Sequence, residues 1–158
     1  MQKPGFFKDS ARFPASLPRP EDSRVALGLP ALDQALGGGL SCRRLHEIVP
    51  ETVFQLGAAA GFALALTALG RGARTIVWIQ QGLAALEGGA PYGCGAELFG
   101  IAPSRFLLVR TATPRDALWA MEESLRCPGV GAVLAELSGA AEDADLTATR
   151  RINLVAET

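Results

Sequence analysis

The alternation of short apolar runs with helix-like segments constrains the fold of this chain most strongly. Four runs have the composition of buried strands: Arg44–Val49, Thr75–Ile79, Phe106–Arg110 and Gly131–Leu137. Helix-like segments lie between them, at Gln55–Leu69, about Ala96–Phe99 and Arg115–Cys127. Strands that alternate with helices predict an α/β fold, in which a parallel sheet is flanked by helices. Right-handed crossovers would make that sheet doubly wound.

The two ends of the chain differ in character from its middle. Residues 1–24 are rich in proline and charge and show no helical or strand period, which predicts a flexible leader before a domain over 25–158. The last segment, Asp145–Thr158, offers an aspartate as N-cap and then continues as an amphipathic helix. Because a strand usually follows such a helix in a βα sheet, we expect a domain that is truncated at its C-terminus.

Composition excludes several classes of protein. A net charge of −1 provides no general attraction to nucleic acid or to an anionic membrane. Three cysteines without ligand spacing and a single histidine, His46, predict no metal site. The longest apolar stretch, Phe54–Leu69, is too short for a membrane span and predicts a buried helix instead. With no signal peptide apparent, we predict a cytoplasmic protein.

The segment after the first predicted strand lies where an α/β nucleotide-binding protein has its phosphate loop. Such a loop reads GxxxxGK[ST], in which backbone amides and the lysine bind phosphate and the hydroxyl binds magnesium. This chain instead reads VPETVFQLGAAAGF, and its only lysines are Lys3 and Lys8. We therefore predict a degenerate loop that holds no cofactor, with these residues at the corresponding positions: Pro50, Glu51, Thr52, Gln55 and Gly57.

The carboxylates expected of such an enzyme are also reduced in number. The second predicted strand leads into Gln80 and Gln81, where a catalytic acid would be needed. Only Glu136, at the end of GAVLAEL, retains an acid at the predicted carboxyl edge of the sheet. We expect Glu136 to be a hydrogen-bonded vestige rather than a metal ligand. The sequence thus predicts no catalytic residues, and we expect a protein that is not an enzyme.

The order of several motifs resembles one family. LDQALGGGL, RRLHEI, AAAGFALAL, IVWIQ, GIAPSRFLLVR, DALWAMEESLR, GAVLAEL and LTATRRINLVAE together are similar to ImuA proteins, over about four-fifths of the chain. This resemblance implies a RecA-like, SulA-related accessory protein of the bacterial mutagenic DNA-repair cassette, part of the SOS response. It also implies partnership with the polymerase-like protein ImuB and the DnaE2-type polymerase complex, with RecA as a further candidate.

Two helix surfaces are candidates for partner binding. On the predicted helix Arg115–Arg126, Trp119 lies among Glu122, Glu123 and Arg126, away from the apolar stripe Ala117, Leu118, Met121 and Leu125. An aromatic side chain among charges is typical of an interface anchor, although packing against a neighbouring helix is an equal alternative. On the last helix, Arg150 and Arg151 could bind an acidic partner or form local ion pairs. Two arginines make a poor DNA footprint, so any DNA contact is expected to be weak or indirect.

Two other interpretations remain open at this stage. The SulA branch shares the scaffold, which would make the chain a cell-division inhibitor. Alternatively, the chain could be a RecA-like ATPase with an unconventional nucleotide site. Oligomeric state is also left open, homo-oligomers included. His46 is expected to be a hydrogen-bonded residue of a buried strand, Glu47 to pair with Arg43 or Arg44, and residues 80–95 to be the most mobile segment.

Overall fold

A three-stranded parallel sheet forms the centre of the fold. The computed structural model describes residues 23–70, 74–138 and 146–157. The sheet has the order β4-β3-β5, in which β3 is Thr75–Gln81, β4 is Phe106–Thr111 and β5 is Val130–Glu136. Trp78 of β3 lies opposite Leu108 of β4 and Leu134 of β5. These strands confirm three of the four predicted apolar runs.

Helices cover both faces of the sheet. On one face lie α2 (Leu56–Leu69) and α4 (Gly93–Ala96), and on the other α5 (Pro114–Leu125) and α6 (Leu146–Glu157). A further helix, α3 (Gly82–Gly88), follows β3 directly. The α/β class with a parallel sheet between helices is therefore confirmed. Within the described ranges, no helix combines the length and the apolar character needed to cross a bilayer.

Strand β3 is buried along nearly its whole length because it is central and both of its faces are covered. Ile76 and Trp78 pack with Leu64 of α2 and Ala96 of α4 in one core. The alternate side chains, Val77 and Ile79, pack on the other face in a second core, with α5 and α6. Alternation of side chains along a strand thus gives one apolar run two separate cores.

The prediction of a strand at Arg44–Val49 is wrong. Residues 45–50 have no regular secondary structure, and no strand pairs with them among the described residues. A strand exists only where a neighbouring backbone completes its hydrogen bonds, whereas here the Leu45 amide donates to Oδ1 of Asn153 in α6, at 3.0 Å. The segment therefore lies against a helix rather than within the sheet.

A small antiparallel pair before this segment was not predicted. β1 (Arg24–Val25) pairs with β2 (Leu40–Ser41), on either side of α1 (Pro30–Ala35). Gly39 permits the close approach, because its φ is +115° and a Cβ there would lie 2.1 Å from the Val25 carbonyl oxygen. β1 begins at Arg24, one residue before the predicted start of the domain. The predicted leader otherwise lies outside the described residues, as does the Asp145 cap.

The expectation that α2 is buried needs correction. The apolar segment forms a helix, but Leu64 is the buried residue found in it, and Phe62 is 45% exposed.

The segment 80–95, predicted to be the most mobile, contains α3 and most of α4, which extends to Ala96. Its mobility stays a prediction.

Candidate functional site

The segment that was predicted to be a degenerate phosphate loop is exposed to solvent. Thr52 precedes a short 3₁₀ turn, Val53–Gln55, that leads into α2. The backbone amide of Glu51 donates to Oε1 of Gln55, at 3.0 Å. Phe54 is 96% exposed, so the segment presents a large apolar side chain to solvent. Thr52 and Gly57 are exposed as well, and Pro50 is half-buried.

Glu136 is held by neutral donors at the carboxyl edge of the sheet. Its Oε1 accepts from the indole Nε1 of Trp78, at 2.7 Å, and its Oε2 accepts from Nε2 of Gln80, at 3.0 Å. The same Gln80 nitrogen donates to the Gly89 carbonyl, at 2.7 Å. Both oxygens of this carboxylate therefore accept hydrogen bonds, as expected, whereas its status as a vestige of a catalytic acid stays a prediction. The described residues contain no group of three potential metal-ligating side chains.

Sequence reasoning missed the hydrogen-bond network around Glu136. Trp78 is 5% exposed and belongs to the core, and its indole N–H also donates to Glu136. The strand register carries the signal that could have revealed the network, because Gln80 lies opposite Glu136. Paired residues of neighbouring strands point to the same face of the sheet, so Gln80 and Glu136 share a face. Trp78, two residues before Gln80, lies on that face as well. The register could not be known without the structure.

Polar atoms gather at this edge of the sheet. Oε1 of Gln80, Oγ1 of Thr111 and Oγ of Ser138 are buried and have no hydrogen-bond partner among the described residues. Gln81 on the opposite face accepts from the Ser138 amide, at 3.0 Å. Buried polar groups of this kind are usually satisfied by ordered water. The edge thus offers hydroxyl and amide groups beside one carboxylate.

Helix α5 presents Trp119 to solvent. The helix is capped by Thr113, whose hydroxyl accepts from the Asp116 amide at 3.2 Å. Ala117, Leu118 and Met121 of its inner stripe are buried as predicted, and Leu125 is partly buried. Trp119 is 63% exposed, so most of its side chain is accessible to solvent. A capped helix thus carries a large exposed aromatic side chain.

Glu122 departs from the prediction that placed it on the outer face beside Trp119. It is only 7% exposed, because α6 packs over it. Arg126 forms an ion pair with it from the next turn, and Nε of Arg151 in α6 lies 2.6 Å from its Oε2. The hydrogen bond from Arg126 lowers the pKa of Glu122 below its ordinary value, and the charge of Arg151 acts in the same direction.

The ion pairs divide the six predicted partner residues into two groups. Arg126 also contacts Glu123, at 2.6 Å, so Arg126 links both glutamates of α5, and Arg151 joins α6 to Glu122. The pair between Glu122 and Arg151 therefore connects the two helices, whereas Arg126 pairs within its own helix. Trp119 and Arg150 are exposed, and about half of each of the Glu123, Arg126 and Arg151 side chains remains accessible.

The other end of α6 is held by the segment that was predicted as a strand. Arg44 forms an ion pair with the Glu157 side chain, and Arg43 donates to the Glu157 carbonyl oxygen. Arg43 and Arg44 thus contact Glu157 of α6, whereas one of them was predicted to pair with Glu47. His46 is exposed rather than buried in a strand, and its ring nitrogen Nε2 lies 2.8 Å from the Ser41 carbonyl oxygen.

Comparisons of this chain with protein families, with curated proteins and with solved structures find no match.

Proposed function

We propose that this chain is a non-catalytic, RecA-like accessory protein of damage-induced mutagenesis that acts in translesion DNA synthesis through protein–protein contacts. The observation that carries the proposal is the exposure of Trp119 on α5, a helix that the ion pair between Glu122 and Arg151 joins to α6. Exposed tryptophans on rigid elements, rimmed by charge, are typical anchors of protein interfaces. The similarity of its motifs to the ImuA family supports the same role.

The proposal that nucleotide is not turned over rests on the chemistry of the sheet edge. The sequence has no lysine beyond Lys8 to bind phosphate. Glu136, an acid of this edge, accepts hydrogen bonds from Trp78 and Gln80 with both oxygens. Phosphoryl transfer depends on cations and positioned carboxylates, so these groups supply little of what it requires.

A binding experiment with Trp119→Ala tests the adaptor role. The purified chain is presented in parallel to an ImuB-like protein, to RecA and to the tubulin homologue of cell division. We expect capture of the ImuB-like protein, weakened about 30-fold or more by Trp119→Ala because an aromatic anchor contributes about 2 kcal/mol or more. Leu86→Ala is the matched control, since Leu86 is an exposed apolar residue of α3.

The same experiment can contradict the proposal. Capture of the division protein in place of the polymerase-related one would favour a SulA-like inhibitor. Calorimetry with ATP and magnesium tests the remaining alternative: micromolar binding that Glu136→Ala abolishes would establish an unconventional nucleotide site. In the capture experiment, Trp119→Ala must keep the circular dichroism spectrum of the original chain, because a variant that does not fold would lose capture for another reason.

A further inference from the structure

Strand β4 has an outer edge that no other described strand pairs with, because it is the first strand in the order β4-β3-β5. Such an edge presents backbone N–H and C=O groups that can bind another extended chain. Phe106, Leu108 and Arg110 share one face of β4, since they lie opposite Ile76, Trp78 and Gln80 of β3. Leu108 is 40% exposed, which is unusual for an apolar side chain beside a core.

A cavity of about 350 Å³ lies along this face of β4. Its sheet side is formed by Trp78, Phe106 and Leu108, and its helix side by Ala60, Gly61 and Leu64 of α2. The space exists because α2 has small residues there: a Cβ built on Gly61 meets no atom within 4 Å. The volume falls within the range typical of ligand pockets and can hold a large apolar side chain.

Charge at the strand is of one sign. Arg110 is exposed at the carboxyl end of β4, on the same face as the cavity. Arg105 immediately precedes β4 and is oriented by its Nε, which donates to the Arg74 carbonyl oxygen at 3.1 Å. No acidic residue occurs in 103–111. Leu108 lines the apolar cavity, and Arg110 lies two residues further along the strand. Arg110 can therefore form an ion pair with an acidic side chain of a ligand.

We propose that the β4 edge binds an extended segment of a partner protein as an added strand parallel to β4, with an apolar side chain in the cavity and an acidic side chain two residues further on, beside Arg110. Alternate residues of a strand point to the same side, so apolar–x–acidic spacing matches Leu108 and Arg110. A second copy of β4 fits less well, because it would bring arginines and no acid. This surface lies on a different element from Trp119 and does not depend on the adaptor role.

Synthetic peptides test the proposal directly. The probe is a labelled nine-residue peptide of Thr and Ser with Leu-Thr-Asp at its centre, and the matched peptides carry Leu-Thr-Lys or Ser-Thr-Asp. Fluorescence anisotropy measures affinity, and amide shifts of the isotope-labelled chain locate the site. We expect shifts at 106–111 and around Gly61. Replacement of Leu by Ser removes the buried anchor and should weaken binding about 10-fold or more.

Two variants of the chain separate the two parts of the site. Gly61→Leu fills the cavity without a clash at Cβ and should abolish binding of the Leu-Thr-Asp peptide. Arg110→Glu should weaken that peptide about 5-fold and strengthen the Leu-Thr-Lys peptide, since opposite charges across strands attract. Glu47→Arg, a charge change of the same size at an exposed residue of the segment beside α6, is the control and should alter neither affinity. Circular dichroism verifies that each variant folds.

The proposal is overturned by any of three results. Equal affinity for the Leu-Thr-Asp and Ser-Thr-Asp peptides would show that the cavity holds no side chain. Shifts confined to α5 and α6, or no binding at millimolar peptide, would show that β4 is not the site. A dimer in light scattering that Gly61→Leu dissociates would assign the same edge to a second copy of this chain instead.

Discussion

Gln80 shows how a single residue can organise the carboxyl edge of the sheet. It is 1% exposed, and its amide nitrogen donates to both Glu136 and the Gly89 carbonyl. Two acceptors around one nitrogen fix the orientation of the amide, and Oε1 then meets no donor among the described residues. Glu136 accepts its two hydrogen bonds from neutral groups, the indole of Trp78 and the amide of Gln80. This environment suits a structural acid.

Trp78→Phe is predicted to destabilise the fold more than Trp119→Phe. Trp78 donates its indole N–H to the half-buried Glu136 carboxylate, and its loss leaves a charged acceptor underbonded, at about 1–3 kcal/mol. Trp119 is exposed, so its replacement should change the free energy of unfolding by less than about 0.5 kcal/mol. Urea unfolding followed by circular dichroism measures both, because this signal does not depend on tryptophan.

A double-mutant cycle checks the cause of that difference. If the Trp78–Glu136 hydrogen bond is responsible, Glu136→Gln should cost less free energy of unfolding in the Trp78→Phe background than in the original chain. Additive losses from the two substitutions would instead assign the effect of Trp78→Phe to lost ring volume.

At the scale of elements, helix α6 depends on α5 for its position. The Glu122 carboxylate receives Arg126 from its own helix and Arg151 from α6. Burial of a carboxylate between helices is tolerated only when it is paired in this way. The exposed pair between Arg126 and Glu123 joins residues of one helix only, and such pairs contribute little. We therefore expect Glu122 to contribute more to the stability of the fold than its neighbour Glu123.

Glu122→Gln is predicted to lower the urea midpoint more than Glu123→Gln does. Glu123→Gln should change the free energy of unfolding by at most about 1 kcal/mol. The difference should depend on pH. Because the pKa of Glu122 is lowered in the folded state, its stabilisation is present above the ordinary pKa of a glutamate and is lost as the pH falls through the lowered value. The midpoints of Glu122→Gln and the original chain should therefore converge in acid. A gap that is constant with pH would contradict this origin.

Helix and strand patterns predicted individual elements better than the contacts between them. The 3.6-residue period of α5 correctly separated the buried Ala117 and Leu118 from Trp119, because periodicity reports directions around one axis. It misplaced Glu122, since the period cannot reveal where α6 docks. The strand at Arg44–Val49 failed for a similar reason: an apolar run becomes a strand only beside a partner. The two-residue strands β1 and β2 are too short to show alternation at all.

For the whole molecule, the sheet separates two apolar cores that differ in how they are closed. The core with Trp78 and Leu64 opens into the cavity beside β4, where small α2 residues leave space. The other core, with Val77 and Ile79, is closed by Ile152 of α6. Proposed partner contacts lie on both sides of the molecule: Trp119 above the closed core and the β4 edge beside the open one.

Ile152→Ala is predicted to destabilise the whole fold, by about 2–5 kcal/mol, because Ile152 is 2% exposed and its loss leaves a cavity among Val77, Leu118 and Met121. Leu154→Ala on the same helix is the matched control: Leu154 is 52% exposed, and the change should cost less than about 1 kcal/mol. Urea unfolding followed by tryptophan fluorescence and by circular dichroism should shift together for Ile152→Ala, since the side chain belongs to the core that contains β3. Hydrogen exchange that accelerates only in α6, with β3 amides as protected as before, would show instead that the helix unfolds on its own and that the sheet does not require it.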